Sequence, residues 1–181
     1  PDAPAPAVAE LTLGLILTLL RSVHISNLHL HNGKWERIFG RRLNDITIGI
    51  IGVGRIGTRL LRCMSGFGRL HTLVNDIIPN HRLNQEFDLE WVSKEQIYKD
   101  ADIISLHIPL TPLTRNMICQ EQLLLMKKDA SIINTSRGGI INEDDLYKVM
   151  NEGHLGGAAI DVFENEPYTG KLVEIKRCLL T

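Results

Sequence analysis

Cysteine is scarce in this chain. Cys63, Cys119 and Cys178 are three among 181 residues. They are odd in number, far apart and form no CxxC pair. This excludes a disulfide framework and points to a reducing, cytoplasmic setting. The seven histidines are scattered, none at zinc spacing from a cysteine or carboxylate, so no metal site is expected. Basic runs are also missing. Twenty Lys and Arg face 21 Asp and Glu, for a net charge of −1, which gives nucleic acid or an anionic membrane nothing to hold. There is no long hydrophobic run. The most apolar stretch, Val8–Leu20, is interrupted by Glu10 and Thr12 and stops at Arg21. It is too short to span a bilayer and lacks the basic flank of a signal peptide. The partner expected from these absences is a small molecule.

Apolar residues make up 44 % of the chain, ample for a core of one large domain or two small ones. Pro1–Pro6 reads as a hinge or linker, and residues 7–181 as the domain proper. Ala7–Arg21 reads as a helix apolar on most faces, to be buried in the domain or against a second copy. The helical pattern continues less regularly through His24–His31, and Gly33–Arg37 is a polar loop. From Ile46 the pattern becomes regular. Strands are predicted at Ile46–Ile51, Thr72–Asp76, Ile103–Ile108, Ser131–Asn134 and Gly157–Val162, and helices at Arg55–Phe67, Lys94–Lys99, Gln120–Met126 and Glu143–Glu152. Asn142 is an N-cap with three acids behind it, and Gly153 is a C-terminal stop. The segment His81–Val92 has no clear pattern. Short β-branched runs alternating with amphipathic helices predict an α/β fold, a doubly wound parallel sheet of the Rossmann type. Ile46–Ile51 should be central, and the switch point should lie between it and Ile103–Ile108.

The most informative motif is Gly52-Val53-Gly54-Arg55-Ile56-Gly57, which leaves the first strand and opens a helix. Asp76 follows 19 residues after Gly57, at the end of the second strand. Gly52 permits the tight turn, Gly54 lets backbone approach a pyrophosphate, and Gly57 lets the helix pack close to the strand. The start of that helix offers unpaired N–H groups to phosphate, and Asp76 can accept from both ribose hydroxyls. A glycine-rich turn that binds nothing is the competing reading. The strand, the helix and the acid in register weigh against it.

A second constellation is Ser131–Ile140, SIINTSRGGI. The strand ends at Asn134-Thr135-Ser136, and Arg137 is aimed at the crevice that carboxyl strand ends face. A guanidinium there can grip a carboxylate and polarise a neighbouring carbonyl. In Gly156–Pro167, GGAAIDVFENEP, Asp161 falls at the end of the last predicted strand, and Glu164 reads as a solvated loop acid. His107 reads as a packed core histidine, followed by a loop lining the nicotinamide side.

Six segments, VAELTLGLILTLLR, LHNGKWER, GIIGVGRIG, HIPLTPLTRNMI, INTSRGGIINEDDL and GGAAIDVFENEP, occur in one order. Together they resemble the NAD-binding domain of the D-isomer-specific 2-hydroxyacid dehydrogenases, over nearly all of the chain. The wording is most similar to the phosphoglycerate, glycerate and hydroxypyruvate members. The resemblance implies NAD as cofactor. Arg55 and Ile56 would present backbone to the pyrophosphate, and Asp76 would bind the adenosine ribose and select NAD over NADP. Ile108, Thr135 and Ser136 would line the dinucleotide, and Asp161 would meet the carboxamide. Arg137 would be the catalytic arginine, and Glu166 the catalytic carboxylate that orients an acid/base histidine. That histidine belongs to a Pro-His-Ile-Gly type segment, which together with the substrate-binding domain is expected to lie outside these residues. Cys178–Thr181 reads as the start of another buried strand. The chain is therefore expected to be an excised cofactor domain that binds NAD(H) without turnover. The Ala7–Leu20 helix resembles a dimer-forming arm, implying a homodimer. An NAD(H)-sensing corepressor of the same fold, or another Rossmann enzyme with a nicotinamide or S-adenosyl ligand, are the alternatives.

Overall fold

The computed structural model describes residues 4–181. Seven strands form one sheet in the order β3-β2-β1-β4-β5-β6-β7, every neighbour parallel. They are β1 Thr47–Ile51, β2 His71–Asn75, β3 Leu89–Trp91, β4 Ile103–Leu106, β5 Ser131–Asn134, β6 Gly157–Ile160 and β7 Cys178–Leu180. The chain runs outward from β1 to β3, returns, and continues from β4 to β7. The order therefore reverses between β1 and β4, where the sequence placed the switch point, and a crevice opens there beyond the carboxyl ends. β1 is interior, paired with both β2 and β4, though β4 holds the middle position.

The helices are α1 Ala5–Leu20, α2 Val23–His31, α3 Arg55–Met64, α4 Lys94–Asp100, α5 Gln120–Leu125 and α6 Glu143–Asn151. One apolar layer joins α1 and α3 to β1, β4, β5 and β6 through Leu15, Ile16, Leu60, Ile48, Ile50, Ile103, Ile133 and Ala159. The opposite layer joins α4, α5 and α6 to the sheet through Ile97, Leu123, Leu146, Val149, Ile104 and Ile132. Strand residues alternate between the layers because successive side chains point to opposite faces.

Several boundaries differ from the sequence reading. Helix α1 begins at Ala5, with Ala5 buried, so it runs two residues into the predicted linker. Residues 1–3 of that linker lie outside the described residues. α1 buries Ala5, Ala9, Thr12, Leu15, Ile16 and Leu19 against its own domain, at helical i, i+3, i+4 spacing. The predicted helix 55–67 stops at Met64 and ends in a tighter turn over Ser65–Phe67. β4 ends at Leu106 and β6 at Ile160, each two residues short of the reading. One further ladder bond follows each, His107 N–H to Ile51 C=O and Asp161 N–H to Asn134 C=O. β2 ends at Asn75, because Asp76 turns toward the glycine loop. The patternless segment contains β3, only three residues long. Among the described residues no single helix is long and apolar enough to cross a membrane.

Candidate functional site

β1 ends at Ile51 and the chain turns at Gly52, whose φ of +96° suits glycine alone. A Cβ there would lie 2.4 Å from the His107 carbonyl oxygen, so the loop seats directly on the residue after β4. A Cβ on Gly57 would lie 2.2 Å from the Gly52 carbonyl oxygen. Gly52 and Gly57 are thus demanded by the fold itself. Gly54 is different. A Cβ there meets no atom of the described residues within 4 Å, so packing within them leaves room for a side chain at this position. Gly54 is the N-cap of α3 and no side chain caps that helix. The first turn of α3 therefore offers backbone N–H groups and the positive end of its dipole to an open space. Those are the properties of a phosphate cradle, and the residues present fit a dinucleotide.

Asp76 is tied into the same loop. Its Oδ2 accepts from the Val53 amide at 2.7 Å and its Oδ1 from the Ile78 amide at 3.1 Å. These bonds fix the carboxylate beside the glycine turn. They leave each oxygen a further lone pair, since an ionised carboxylate has about four acceptor sites.

On the other side of the switch point, Asn134 organises the end of β5. Its Oδ1 accepts from the Ser136 amide at 3.1 Å and the Ser136 hydroxyl at 2.8 Å, and its Nδ2 donates to the Arg137 carbonyl at 2.9 Å. Arg137 emerges exposed, its Nη1 donating to the Ser136 carbonyl at 2.6 Å. Gly138 comes next, and a Cβ there would lie 1.9 Å from the Phe163 carbonyl oxygen. This absence of a side chain brings the loop after β6 against the turn that carries Arg137. Arg137, Glu166, Leu110, Gly138, Val162 and Phe163 consequently share one open concavity of about 430 Å³. Glu166 Oε1 accepts from the Phe163 amide at 3.1 Å.

The family profile of the D-isomer specific 2-hydroxyacid dehydrogenase, NAD binding domain, matches residues 13–181. The chain belongs to this family. It is 42 % identical over 170 residues to a D-3-phosphoglycerate dehydrogenase of Methanocaldococcus jannaschii, covering 92 % of this chain and 32 % of that protein. It is 40 % identical over 185 residues to a hydroxypyruvate reductase of Thermotoga maritima, covering 100 % of this chain and 58 % of that protein. The crystal structure of a D-lactate dehydrogenase from Aquifex aeolicus, complexed with NAD and lactic acid, superposes with a TM-score of 0.89 at 30 % identity. That match covers 100 % of this chain and 60 % of that one. The chain thus spans a third to three fifths of the relatives it matches.

Within this NAD-binding domain, the residues singled out from sequence all lie at the carboxyl end of the sheet, with differing commitments. Thr135 is buried, and its hydroxyl meets that of Thr12 on α1 at 2.9 Å. The Thr12 proton goes to the Val8 carbonyl at 2.7 Å. Thr135 must therefore be the donor to Thr12, so both hydroxyls are engaged inside the chain. The Ser136 hydroxyl is likewise held by Asn134. Asp161 follows β6, which is not the last strand, and its Oδ1 accepts from the Thr181 hydroxyl at 2.8 Å. Ile108 is half-buried after β4. His107 is packed as expected. Its Nε2 lies 2.9 Å from the Ser105 hydroxyl, its Nδ1 is buried without a partner, and burial pushes its pKa down to about 4.

Glu164 departs from the reading of a loop acid in water alone. Its carboxylate is half-exposed, yet it meets Arg115 Nη1 at 2.6 Å, and its amide donates to Glu143 Oε1 at 2.8 Å. Burial holds the Glu143 pKa above the ordinary carboxylate value, the Glu164 amide opposes this, and the nearby charges of Glu164 and Asp144 add to it. Neither Arg115 nor the Thr12–Thr135 pair was visible in the sequence. The pairs are 49 and 123 residues apart and carry no local signal.

Proposed function

We propose that these residues are the cofactor half of an oxidoreductase that interconverts a D-2-hydroxy acid and a 2-oxo acid. The observation that carries the reading is the single concavity shared by Arg137 and Glu166, at the same end of the sheet as the open cradle at Gly54. A bound nicotinamide supplies or takes the hydride at the substrate's C2. The chain's own residues do the rest. The amides of Arg55 and Ile56 hold the pyrophosphate, with Gly52, Gly54 and Gly57 shaping the loop. Asp76 accepts from the adenosine ribose hydroxyls and disfavours a 2′-phosphate through its charge. Ile108, Thr135 and Ser136 line the dinucleotide, the last two through backbone because their hydroxyls are engaged. Asp161 meets the carboxamide. Arg137 grips the substrate carboxylate and polarises the carbonyl to be reduced. Glu166 orients an acid/base histidine. His107 and His154 do not fill that role. One is held by Ser105 and the other lies 2.9 Å from the Met126 carbonyl.

The cofactor domain takes in all of α1, so it runs from Ala5 rather than from residue 7, and the substrate-binding part lies outside it. The names of the relatives, a D-3-phosphoglycerate dehydrogenase, a hydroxypyruvate reductase and a D-lactate dehydrogenase, support a small 2-hydroxy or 2-oxo acid as the substrate. The protein works in the cytoplasm as a homodimer. Support for the dimer comes from the arm after α1: Val23, Leu30, Trp35 and Phe39 are exposed, Phe39 at 96 %. Apolar surface of that kind marks an interface. Sedimentation at high concentration tests this, and a strictly monomeric protein would contradict it.

The functional test is NADH oxidation by the complete natural polypeptide with hydroxypyruvate, 3-phosphohydroxypyruvate and pyruvate. Turnover of at least one supports the reading. NADH binding without turnover of any favours the corepressor-type protein. The 181 residues by themselves should bind NADH and show no turnover, because among the described residues no histidine lines the concavity of Arg137 and Glu166.

A further inference from the structure

We propose that Arg115 and Glu164 form a latch that holds Glu166 in register with Arg137, which makes both positioning residues for the reaction. The proposal rests on the functional reading above and adds to it the device that sets the geometry of the two catalytic groups.

The need for a latch follows from the contact itself. Arg137 and Glu166 sit on separate loops, after β5 and β6. These loops meet where Gly138 lies against the Phe163 carbonyl oxygen, at a point where a Cβ would come within 1.9 Å. The glycine–carbonyl contact itself makes no hydrogen bond. Phe163 is held by packing on the core and by stacking on Tyr168, but Glu164 and Glu166 beyond it are exposed. Arg137 and Glu166 do not restrain each other either. Arg137 Nη1 donates to the carbonyl of its neighbour Ser136, and Glu166 accepts from Phe163 in its own loop.

Arg115 supplies the restraint from a third segment. The turn Thr111–Arg115 is closed on itself, with the Thr114 hydroxyl donating to the Pro109 carbonyl at 2.7 Å and the Arg115 amide to the Thr111 carbonyl at 2.9 Å. It is docked on the Arg137 turn by the Asn116 amide, which donates to the Gly139 carbonyl at 2.8 Å with Asn116 at a φ of +51°. From this base the Arg115 guanidinium passes beside Gly139, where a Cβ would come 3.4 Å from Nη1, and reaches Glu164 Oε1 at 2.6 Å. Glu164 is the first residue past the bare contact. Its amide is anchored to Glu143 at the start of α6, the helix that follows the Arg137 turn. Glu164 is thus held twice, its carboxylate by Arg115 on the turn docked at Gly139 and its amide by Glu143 at the start of α6. An exposed pair of this kind adds little to global stability. Its leverage is on position, and a misplacement of about 1 Å can cost about 100-fold in rate.

Two measurements test the latch. In the 181-residue chain, amide hydrogen exchange is followed for Phe163, Glu164 and Asn116, with Ile104 and Ile133 as strand controls. Arg115→Ala and Glu164→Gln should each speed exchange at Phe163 and Glu164 by about tenfold or more, as expected for local loop opening, with the strand amides unchanged. The exchanged pair Arg115→Glu with Glu164→Arg should slow it again. Unchanged exchange at Phe163 and Glu164 in both single variants overturns the proposal whatever the enzyme's activity. In the complete natural polypeptide, the same single variants should lower kcat by about 10–100-fold with NADH affinity unaltered, and the exchanged pair should recover most of the loss. A kcat within about twofold of the parent in both singles also overturns it. A parent protein that turns over no 2-oxo acid contradicts the functional reading instead, and the exchange measurement then decides the latch by itself.

Discussion

Gly54 and Gly57 stand three residues apart, at the end of the glycine loop and in the first turn of α3, and the structure assigns them opposite reasons for being glycine. A Cβ on Gly57 would lie 2.2 Å from the Gly52 carbonyl oxygen, a backbone atom of the same loop that has nowhere to yield. Restoring an ordinary contact needs a shift of about 1 Å, and overpacking of that kind costs about 1–3 kcal/mol. For a chain of this size that corresponds to a fall in Tm of roughly 2–12 °C. A Cβ on Gly54 meets no atom of the described residues within 4 Å, and the position is exposed. Gly54→Ala should therefore leave Tm within about 1–2 °C, as exposed substitutions do. Its effect should fall on binding. The added methyl occupies the space that lets backbone approach the pyrophosphate, and losing one or two charge-assisted hydrogen bonds weakens NADH binding by about 10–100-fold. The assay is a thermal melt and a calorimetric NADH titration on the same preparations. Gly54→Ala should bind poorly and melt normally, while Gly57→Ala should do both poorly. A Gly54→Ala chain that binds NADH as tightly as the parent would show that this loop does not hold the phosphates.

Other expectations follow from single contacts. Asp76→Ala should weaken NADH binding and narrow its advantage over NADPH, and should cost about 1–3 kcal/mol because the Val53 and Ile78 amides lose their acceptor. An unaltered NADH to NADPH ratio in a titration would contradict the role given to Asp76. Thr12→Val strands the Thr135 hydroxyl and should destabilise by about 1–3 kcal/mol in urea melts, whereas adding Thr135→Val should recover much of the loss. His107 is half-buried, its Nδ1 shielded from water without a partner, and its pKa is pushed down to about 4. Its neutral form gives stability that is fully present above pH 6.5 and is lost as pH falls toward 4, by up to about 3 kcal/mol. Urea melts at pH 7 and pH 4.5 should therefore show a smaller acid loss in His107→Gln than in the parent. Equal losses would place the acid sensitivity elsewhere.

Much of this was legible in the sequence because its signals are local. The glycine turn, the β-branched runs and the acidic first turn behind Asn142 each fall within a dozen residues, and each is dictated by backbone geometry or apolar periodicity. Strand ends were overrun at Ile108 and Val162 because the apolar pattern continues after the neighbouring strand has stopped offering partners. β3 was missed because Leu89-Glu90-Trp91 is too short to show alternation and lies at the sheet edge. The site residues divide in the same way. Gly52, Asp76 and Arg137 announce themselves by place in a motif. Arg115 and Thr12 do not, since their partners Glu164 and Thr135 arrive only when the sheet is assembled. The Thr12–Thr135 contact ties the first helix to the end of β5, a link that no local signal announces.

The central claim is that this fold, through the loop at Gly54 and the carboxylate at Asp76, is built to hold NAD. The most direct measurement is a calorimetric titration of the 181-residue chain with NADH and, separately, with NADPH. One NADH should bind per chain, with NADPH weaker by about tenfold or more, since the Asp76 charge opposes a 2′-phosphate. Absence of NADH binding, or tighter binding of NADPH, would contradict the account.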